Sequence, residues 1–157
     1  MNIARLLLLP ALLATSAAVA APLDFELAAQ DGFVRLSTLP PQTTVVNFWR
    51  SDCPPCVAEM PLLAKLAQGG KVRVIAVAVQ RLAQTLDAPP AVQAALKPPI
   101  LSLHAPSDPR GLLARFGDPK QALPHTVMLD SAREVCAART GQIDRTWLDA
   151  ALANCAR

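Results

Sequence analysis

Short apolar runs alternate with amphipathic segments through the middle of the chain. The runs at 45–49 and 72–79 are rich in β-branched residues and have few polar side chains, which is typical of strands buried on both faces. Between them, apolar residues at helical spacing predict a helix over 54–68 that ends at Gly69-Gly70. The order strand, helix, strand indicates an α/β domain.

The flanking segments extend the same alternation. Residues 22–44 predict an N-terminal β element, since Phe25 and Leu27 alternate with polar neighbours and Asp31-Gly32 is a turn signal. The other predicted elements are a helix-like stretch over 81–97 broken at Pro89-Pro90, a strand at 100–103, a helix capped by Asp108 with Pro109 in its first turn and ended by Gly117, strands at 126–129 and 135–140, and a helix from Asp144 to Ala156. With 157 residues and no internal repeat, we expect one domain with a mixed sheet.

The first 20 residues have the pattern of an export signal. Arg5 supplies a positive charge, residues 6–13 are apolar, and residues 18–20 offer the small-x-small pattern of a cleavage site. Cleavage there would leave a domain of residues 21–157 in the periplasm. The alternative is a retained membrane anchor, because residues 6–23 carry no charge. In either case the four cysteines are expected to meet an oxidising compartment.

The charge pattern argues against one class of partner. The chain has 15 basic and 12 acidic residues, a net charge of +3, and no cluster of basic residues interleaved with aromatic ones. Nucleic acid is therefore not expected as a partner, and we expect a monomer.

The motif Cys53-Pro54-Pro55-Cys56 lies where the predicted strand meets the predicted helix. Free backbone N–H groups and the helix dipole favour a thiolate at Cys53, and Cys56 lies one turn further, close enough to form a disulfide with it. Zinc sites also use Cys-x-x-Cys, but the remaining Cys and His residues form no second pair at ligand spacing. A purely structural disulfide is a weaker alternative, because so tight a ring removes little entropy from the unfolded chain. We therefore expect thiol–disulfide exchange.

The other two cysteines are predicted to face each other. On the strand 135–140, Arg139 should face water, which turns Cys136 and Ala138 inward, and Cys155 lies on the apolar stripe of the last helix. A structural disulfide is expected in an oxidising compartment, and two free buried thiols or a second redox pair are the alternatives. A bridge over a loop of roughly 20 residues would contribute about 3 kcal/mol to stability.

Four short motifs carry a family resemblance. They are Asn47-Phe48-Trp49 before the Cys-Pro-Pro-Cys motif, Glu59 and Pro61 in the following helix, Leu123-Pro124-His125-Thr126 before a strand that ends at Asp130, and the N-terminal Phe-x-Leu and Asp-Gly hairpin. Through them, residues 24–155 resemble the TlpA/ResA-like exported thiol–disulfide oxidoreductases of the thioredoxin superfamily. The resemblance implies a thioredoxin-like three-layer fold, with a central mixed β-sheet flanked by helices and an N-terminal β-hairpin extension.

Two residues depart from the family pattern, and a third is typical of its TlpA branch. Asp52 replaces the uncharged residue that usually precedes the first cysteine, and its carboxylate should oppose a thiolate at Cys53. Arg50 replaces a small residue and can offset that charge. Asn47 stands where thioredoxin itself has a buried aspartate, as is usual in the TlpA branch.

The catalytic residues are expected to be Cys53, Cys56 and Glu59. Cys53 attacks a substrate disulfide, and Cys56 resolves the mixed disulfide that forms. Glu59 lies three residues after Cys56 on the same helix face, where a partly buried carboxyl could hold or relay its proton. An ordinary exposed glutamate is the alternative that position alone would favour.

Three further residues are expected to bind substrate. By the resemblance, Pro124 is cis and Leu123 presents its backbone to a bound peptide by strand-like pairing, with a trans turn proline as the alternative. Trp49 is expected to pack against the site, or else to be plain core. His125 is expected to be a loop histidine.

The chain is therefore expected to be an exported protein-disulfide reductase that needs no cofactor. By resemblance, a membrane thiol–disulfide electron donor keeps it reduced, and its partner is a disulfide-containing protein, with apocytochrome c thiols a natural class for such relatives. One rival is a copper-binding chaperone in which Cys53 and Cys56 hold Cu(I) with His125 as a third ligand. Copper-delivering relatives usually space their cysteines by three residues, however. A non-catalytic binding module on the same fold is a third hypothesis.

Overall fold

A computed structural model describes residues 21–156 and contains a seven-stranded sheet within them. The strands are β1 (Glu26–Ala29), β2 (Gly32–Arg35), β3 (Thr44–Trp49), β4 (Arg73–Ala78), β5 (Leu101–His104), β6 (His125–Leu129) and β7 (Val135–Thr140). Their spatial order is β2-β1-β5-β4-β3-β6-β7. The neighbours β3, β4 and β5 are parallel and the other pairs are antiparallel, so the predicted mixed sheet and N-terminal hairpin are confirmed. The predicted signal, residues 1–20, lies outside the described residues.

Helices cover both faces of the sheet. They are α1 (Pro54–Gln68), α2 (Leu82–Leu86), α3 (Pro90–Ala95), α4 (Arg110–Arg115), α5 (Arg145–Cys155) and a 3-10 helix (Leu36–Thr38). The first, third and fifth α-helices pack on one face, which we call the α1 face. The 3-10 helix and α4 cover the other, the α4 face, so the molecule has the predicted three layers. None of the helices within residues 21–156 has the length and hydropathy needed to cross a membrane.

The central strands are buried because both of their faces are covered. All six residues of β3 are buried, and five of the six in β4. Alternate side chains of β3 enter different cores: Trp49 lies on the α1 face and Phe48 on the α4 face. This arrangement confirms the strands predicted from the two apolar runs.

The start of α4 differs from the prediction by one position. Asp108 was expected to cap the helix, but Pro109 is the residue before its first turn. The Asp108 Oδ1 instead accepts a bond of 3.2 Å from the Arg110 backbone N–H, two residues on, as aspartates often do in turns. Gly117 follows the helix with a φ of 91°, which fits the stop predicted there.

The prediction that Arg139 faces water and Ala138 faces inward is wrong. Leu129 pairs with Val135, while the neighbouring Met128 pairs with Ala137, so Cys136 is an extra residue that bulges from β7. Because a bulge reverses the alternation, Ala137 packs on the α1 face, Ala138 is exposed and Arg139 is half-buried.

Candidate active site

Cys53 and Cys56 form a disulfide at the start of α1, with their Cα atoms 5.2 Å apart. Cys53 is the N-cap, and its Sγ accepts a bond of 3.3 Å from the Cys56 backbone N–H. A helix can begin at Pro54 because its first residues need no N–H donor and proline already has a helical φ. Cys53 is half-buried, whereas Cys56 is completely buried in the core. The two sulfurs are therefore unequal in access, with the outer one at the site that favours a thiolate.

An ion pair lies directly before the disulfide. The Arg50 guanidinium donates to both carboxylate oxygens of Asp52, at 2.8 Å from Nε and 2.7 Å from Nη2. This hydrogen bonding from Arg50 holds the pKa of Asp52 below its ordinary value. Both side chains are exposed, so the pair contributes little to stability. Its chemical effect is to balance the negative charge that Asp52 places beside Cys53.

Gln80 fixes the turn that carries this ion pair, and the sequence reasoning missed it. Its Oε1 accepts bonds from the backbone N–H and the hydroxyl of Ser51, at 2.7 and 3.0 Å. Its Nε2 donates to the Thr85 hydroxyl at 2.9 Å, which ties the turn to α2. Gln80 follows β4 just as Ser51 follows β3, and these strands are parallel, so both residues lie at the same end of the sheet.

An open groove of about 520 Å³ lies beside the Cys53 side chain. Its lining residues are Arg50, Asp52, Cys53, Val79, Ser107, Pro109, Leu113, Gln121 and Leu123. The lining combines apolar side chains, among them Val79 and Leu123, with the charged pair Arg50 and Asp52. It therefore offers a surface where a polypeptide could reach the outer sulfur.

The turn before β6 forms one wall of this groove. The peptide bond between Leu123 and Pro124 is cis. Leu123 is half-buried and lines the groove, while Pro124 is buried and its carbonyl accepts a bond of 2.8 Å from the Gly141 N–H. The structure thus brings Leu123 and Cys53 to the same groove.

Glu59 is buried behind the disulfide, with only 1% of its surface exposed. Its Oε1 accepts a bond of 2.6 Å from Asn47 Nδ2, and its Oε2 accepts one of 2.9 Å from the Ile143 N–H. Burial raises the pKa of Glu59, although these two bonds and the positive charge of Arg139 act in the opposite direction. The exposed glutamate that position alone would favour is thus excluded.

Neighbouring strands supply the groups around this carboxyl. Asn47 Nδ2 also donates to the Thr126 hydroxyl at 2.9 Å, which fixes the amide, while Asn47 Oδ1 is buried without a partner. Arg139 pairs with Thr126 in the sheet register and so lies on the same face. The sequence reasoning placed Arg139 in water and missed its proximity to Glu59.

Trp49 and His125 lie elsewhere than on the substrate surface. Trp49 is completely buried in the core cluster that contains Cys56. It is not among the residues that line the groove. His125 is the first residue of β6 and only 2% exposed, so the expectation of a loop histidine is wrong.

The contacts of His125 also weaken the copper-chaperone reading. Its Nδ1 lies 2.9 Å from the Thr140 hydroxyl, and its Nε2 donates to the Phe116 carbonyl at 2.8 Å. Its ring stacks on Phe48, on the α4 face, whereas Cys56 packs on the α1 face. His125 is therefore not placed to be a third ligand. In the described part of the chain, no group of three or more His, Cys, Asp or Glu residues could hold a metal.

A second disulfide joins Cys136 in β7 to Cys155 in the last turn of α5. The Cα atoms are 5.1 Å apart, and both residues pack against the core on the α1 face. Cys136 faces this side as the sequence predicted, because the bulge changes the orientation only of the residues that follow it. All four cysteines are therefore paired in disulfides in this structure.

Comparison with known proteins supports this interpretation. The family model described as Redoxin matches residues 16–154. A search of curated proteins finds no significant match.

Solved structures share the fold at low sequence identity. A protein described as a thiol:disulfide interchange protein DsbE from Chlorobium tepidum is 22% identical, with a TM-score of 0.65, covering 86% of this chain and 94% of the other. The exposed lipoprotein thioredoxin Etrx1 from Streptococcus pneumoniae is 23% identical, with a TM-score of 0.66 and coverages of 83% and 99%. A DsbF homologue from Corynebacterium diphtheriae is 20% identical, with a TM-score of 0.68 and coverages of 85% and 85%.

Proposed function

Since this chain belongs to the redoxin family and is a thiol–disulfide oxidoreductase, we propose that it reduces disulfides of other proteins outside the cytoplasm. The observation that carries the proposal is the unequal exposure of its two reactive sulfurs. Cys53 borders a groove at the start of α1, whereas Cys56 is completely buried. A substrate disulfide can therefore be approached by one sulfur only.

The reaction begins with the reduced protein. The Cys53 thiolate attacks a substrate disulfide, which forms a mixed disulfide and releases one substrate thiolate. Cys56 then loses its proton and attacks Cys53 Sγ, which closes the Cys53–Cys56 disulfide and releases the second substrate sulfur. Two electrons pass to the substrate, and two protons complete its thiols. A membrane thiol–disulfide donor would return the two electrons.

Glu59 is proposed as the group that takes the proton from Cys56. Cys56 and Glu59 lie one helical turn apart on α1, and both are buried. A carboxyl with a raised pKa is a better base at neutral pH than an ordinary glutamate, because its proton affinity is closer to the working pH. Its two hydrogen bonds favour the ionised form and so oppose the rise in pKa that burial causes.

The substrate is proposed to lie in the groove beside Cys53. Leu123, before the cis Pro124, lines one wall and could pair with an extended segment of the substrate. The apolar side chains of Val79 and Leu123 in the lining of the groove suit a locally unfolded polypeptide, since such a chain exposes apolar side chains. Trp49 would stabilise the site from the core.

The proposed location outside the cytoplasm is supported by the N-terminal sequence and by one similar protein. Residues 1–20 have the pattern of an export signal, which would place the domain in the periplasm, or at the membrane if the segment is retained. A similar protein from Streptococcus pneumoniae is an exposed lipoprotein. Apocytochrome c with its cysteines oxidised to a disulfide is the candidate substrate that the resemblance to TlpA/ResA-like proteins suggests, and its thiols would be the product.

Trapping tests the proposed reaction. In Cys56→Ser the mixed disulfide cannot be resolved, so Cys53 should stay linked to its substrates, which mass spectrometry can identify after non-reducing electrophoresis. The matched control, Cys53→Ser with Cys56→Ser, should trap nothing. Equal trapping by the control would refute the assignment of Cys53 as the nucleophile.

The direction of electron flow needs a separate measurement. Equilibration of the Cys53–Cys56 pair in glutathione or dithiothreitol buffers gives its reduction potential. A value well below the potential of the compartment supports a reductant. A value near that of strong oxidants contradicts the proposed direction.

A further inference from the structure

The connection between β7 and α5 contributes to the site although it carries no reactive residue. The Ile143 N–H donates to Glu59 Oε2 at 2.9 Å, and Ile143 itself is only 2% exposed. Two residues earlier, the Gly141 N–H donates to the Pro124 carbonyl at 2.8 Å. One short segment therefore contacts both the buried carboxyl and the wall of the groove.

A covalent loop encloses this segment. The disulfide between Cys136 and Cys155 spans 19 positions, and the loop it closes contains Arg139, Gly141 and Ile143. One end of the loop lies in the bulge of β7 and the other in the last turn of α5. The disulfide thus limits how far β7 and α5 can separate.

Each element that packs around Glu59 presents a different group. They are Asn47 from β3, Thr126 from β6 through its bond to Asn47, Arg139 from β7, Ile143 from the connection and Cys56 from α1. Among the described residues, Arg139 is the charged side chain whose field acts on Glu59. Two of the groups, Arg139 and Ile143, lie inside the covalent loop.

We propose that the Cys136–Cys155 disulfide keeps Arg139 and Ile143 in place as positioning residues for Glu59. Through Glu59 it sets the pH range over which Cys53 and Cys56 exchange with substrate. The inference rests on the proposed role of Glu59 as the proton acceptor of Cys56. It gives the second disulfide a part in the reaction, beyond its stabilisation of the fold.

The direction of the effect follows from the contacts. The Ile143 N–H and the Arg139 charge both favour ionised Glu59 over its neutral form. When the loop is opened, the connection can move away and the carboxyl loses a donor. Glu59 then keeps its proton to higher pH, and replacement of Arg139 by a neutral side chain acts in the same direction.

The test is the reduction potential of the Cys53–Cys56 pair as a function of pH, measured in the whole protein. A group that titrates changes the slope of this curve near its pKa, and we call such a change of slope a break. The break due to Glu59 is the one that disappears in Glu59→Gln. In Cys136→Ala with Cys155→Ala, this break should move to higher pH by roughly half a unit or more. An unchanged or lower break overturns the inference.

A second set of variants leaves both disulfides intact. Arg139→Gln should raise the same break, and Arg139→Lys should restore it, because the charge is kept. The matched control is Arg145→Gln, which removes an exposed arginine paired with Asp149 on α5 and should leave the break unchanged. If Arg139→Gln has no effect, the positioning role of Arg139 is refuted.

Control measurements separate the proposed effect on Glu59 from a general loss of stability. They also show whether the proposed function itself has failed. Val92→Ala removes a buried side chain of α3, which supplies none of the groups named around Glu59, so it should lower stability without moving the break. A break that moved equally in Val92→Ala would overturn the inference, because loss of stability alone would then explain the shift. If neither the potential nor the rate of substrate reduction in the parent protein shows a pH dependence that Glu59→Gln removes, the proposed proton transfer is itself wrong.

Discussion

Replacement of Glu59 by glutamine should stabilise the oxidised protein increasingly as the pH rises. Glu59 is 1% exposed, and burial raises its pKa above the ordinary value of 4.5. Below that value both the folded and the unfolded protein hold the proton, so no penalty arises. As the pH rises, the unfolded chain loses the proton first, and the wild-type protein loses stability until the pH passes the folded pKa.

The magnitude depends on two opposing effects. Each pH unit by which the folded pKa exceeds the unfolded one costs the wild type about 1.4 kcal/mol above the folded pKa. The hydrogen bonds from Asn47 and Ile143 are already included in that difference, because they lower the pKa that burial raises. Glutamine keeps the acceptor for Ile143. Its amide N–H needs an acceptor, and Asn47 Oδ1 can become one if the Asn47 amide rotates and the Thr126 hydroxyl donates to that oxygen in place of accepting from Nδ2. The variant should therefore cost no more than about 1 kcal/mol at acid pH.

Urea denaturation of the oxidised proteins, followed by circular dichroism between pH 4 and pH 8, measures this difference. The stability of Glu59→Gln minus that of the wild type should rise across the range. Glu134→Gln is the matched control, because Glu134 is exposed, and its difference should stay small and constant. A constant difference for Glu59→Gln would refute the conclusion that burial dominates the proton affinity of Glu59.

The remaining predictions concern the second disulfide and the ion pair. Cys136→Ala with Cys155→Ala should lower the free energy of unfolding by about 3 kcal/mol, since a loop spanning 19 positions is no longer closed. Urea titrations measure this loss, and a value below about 1 kcal/mol would contradict the chain-entropy account. Asp52→Asn should speed alkylation of Cys53 in the reduced protein at neutral pH, because Arg50 loses its carboxylate partner and can stabilise the thiolate. Arg50→Gln should slow it, and equal rates would mean that the pair does not act on the thiolate.

The sequence predicts most of the features that depend on neighbouring residues. The bounds of α1 match the predicted 54–68, because Pro54 and Gly69 are strong local signals at its two ends. Asp144 caps α5 through a bond of 2.7 Å from the Trp147 N–H, as predicted. Gln80 could also have been found, since polar residues that follow adjacent parallel strands lie at the same end of the sheet.

The missed features depend on contacts between distant residues. The bulge at Cys136 leaves no reliable trace in the pattern of apolar residues, yet it reverses the orientation of Arg139. The Ile143 N–H that reaches Glu59 is a backbone group, so residue type carries no signal for it. His125 looked like a loop residue because it follows Pro124, and its burial depends on Phe116 and Thr140 from separate elements.

The bulge has one more consequence, for self-association. A regular outermost strand offers unpaired N–H and C=O groups on which another polypeptide can add a strand. In β7 the extra residue Cys136 interrupts that row, and its covalent attachment to α5 keeps the irregularity in place. At the opposite border β2 has only four residues and ends at Arg35, whose charge pairs with Glu26. Both borders of the sheet are therefore poor templates for polymerisation.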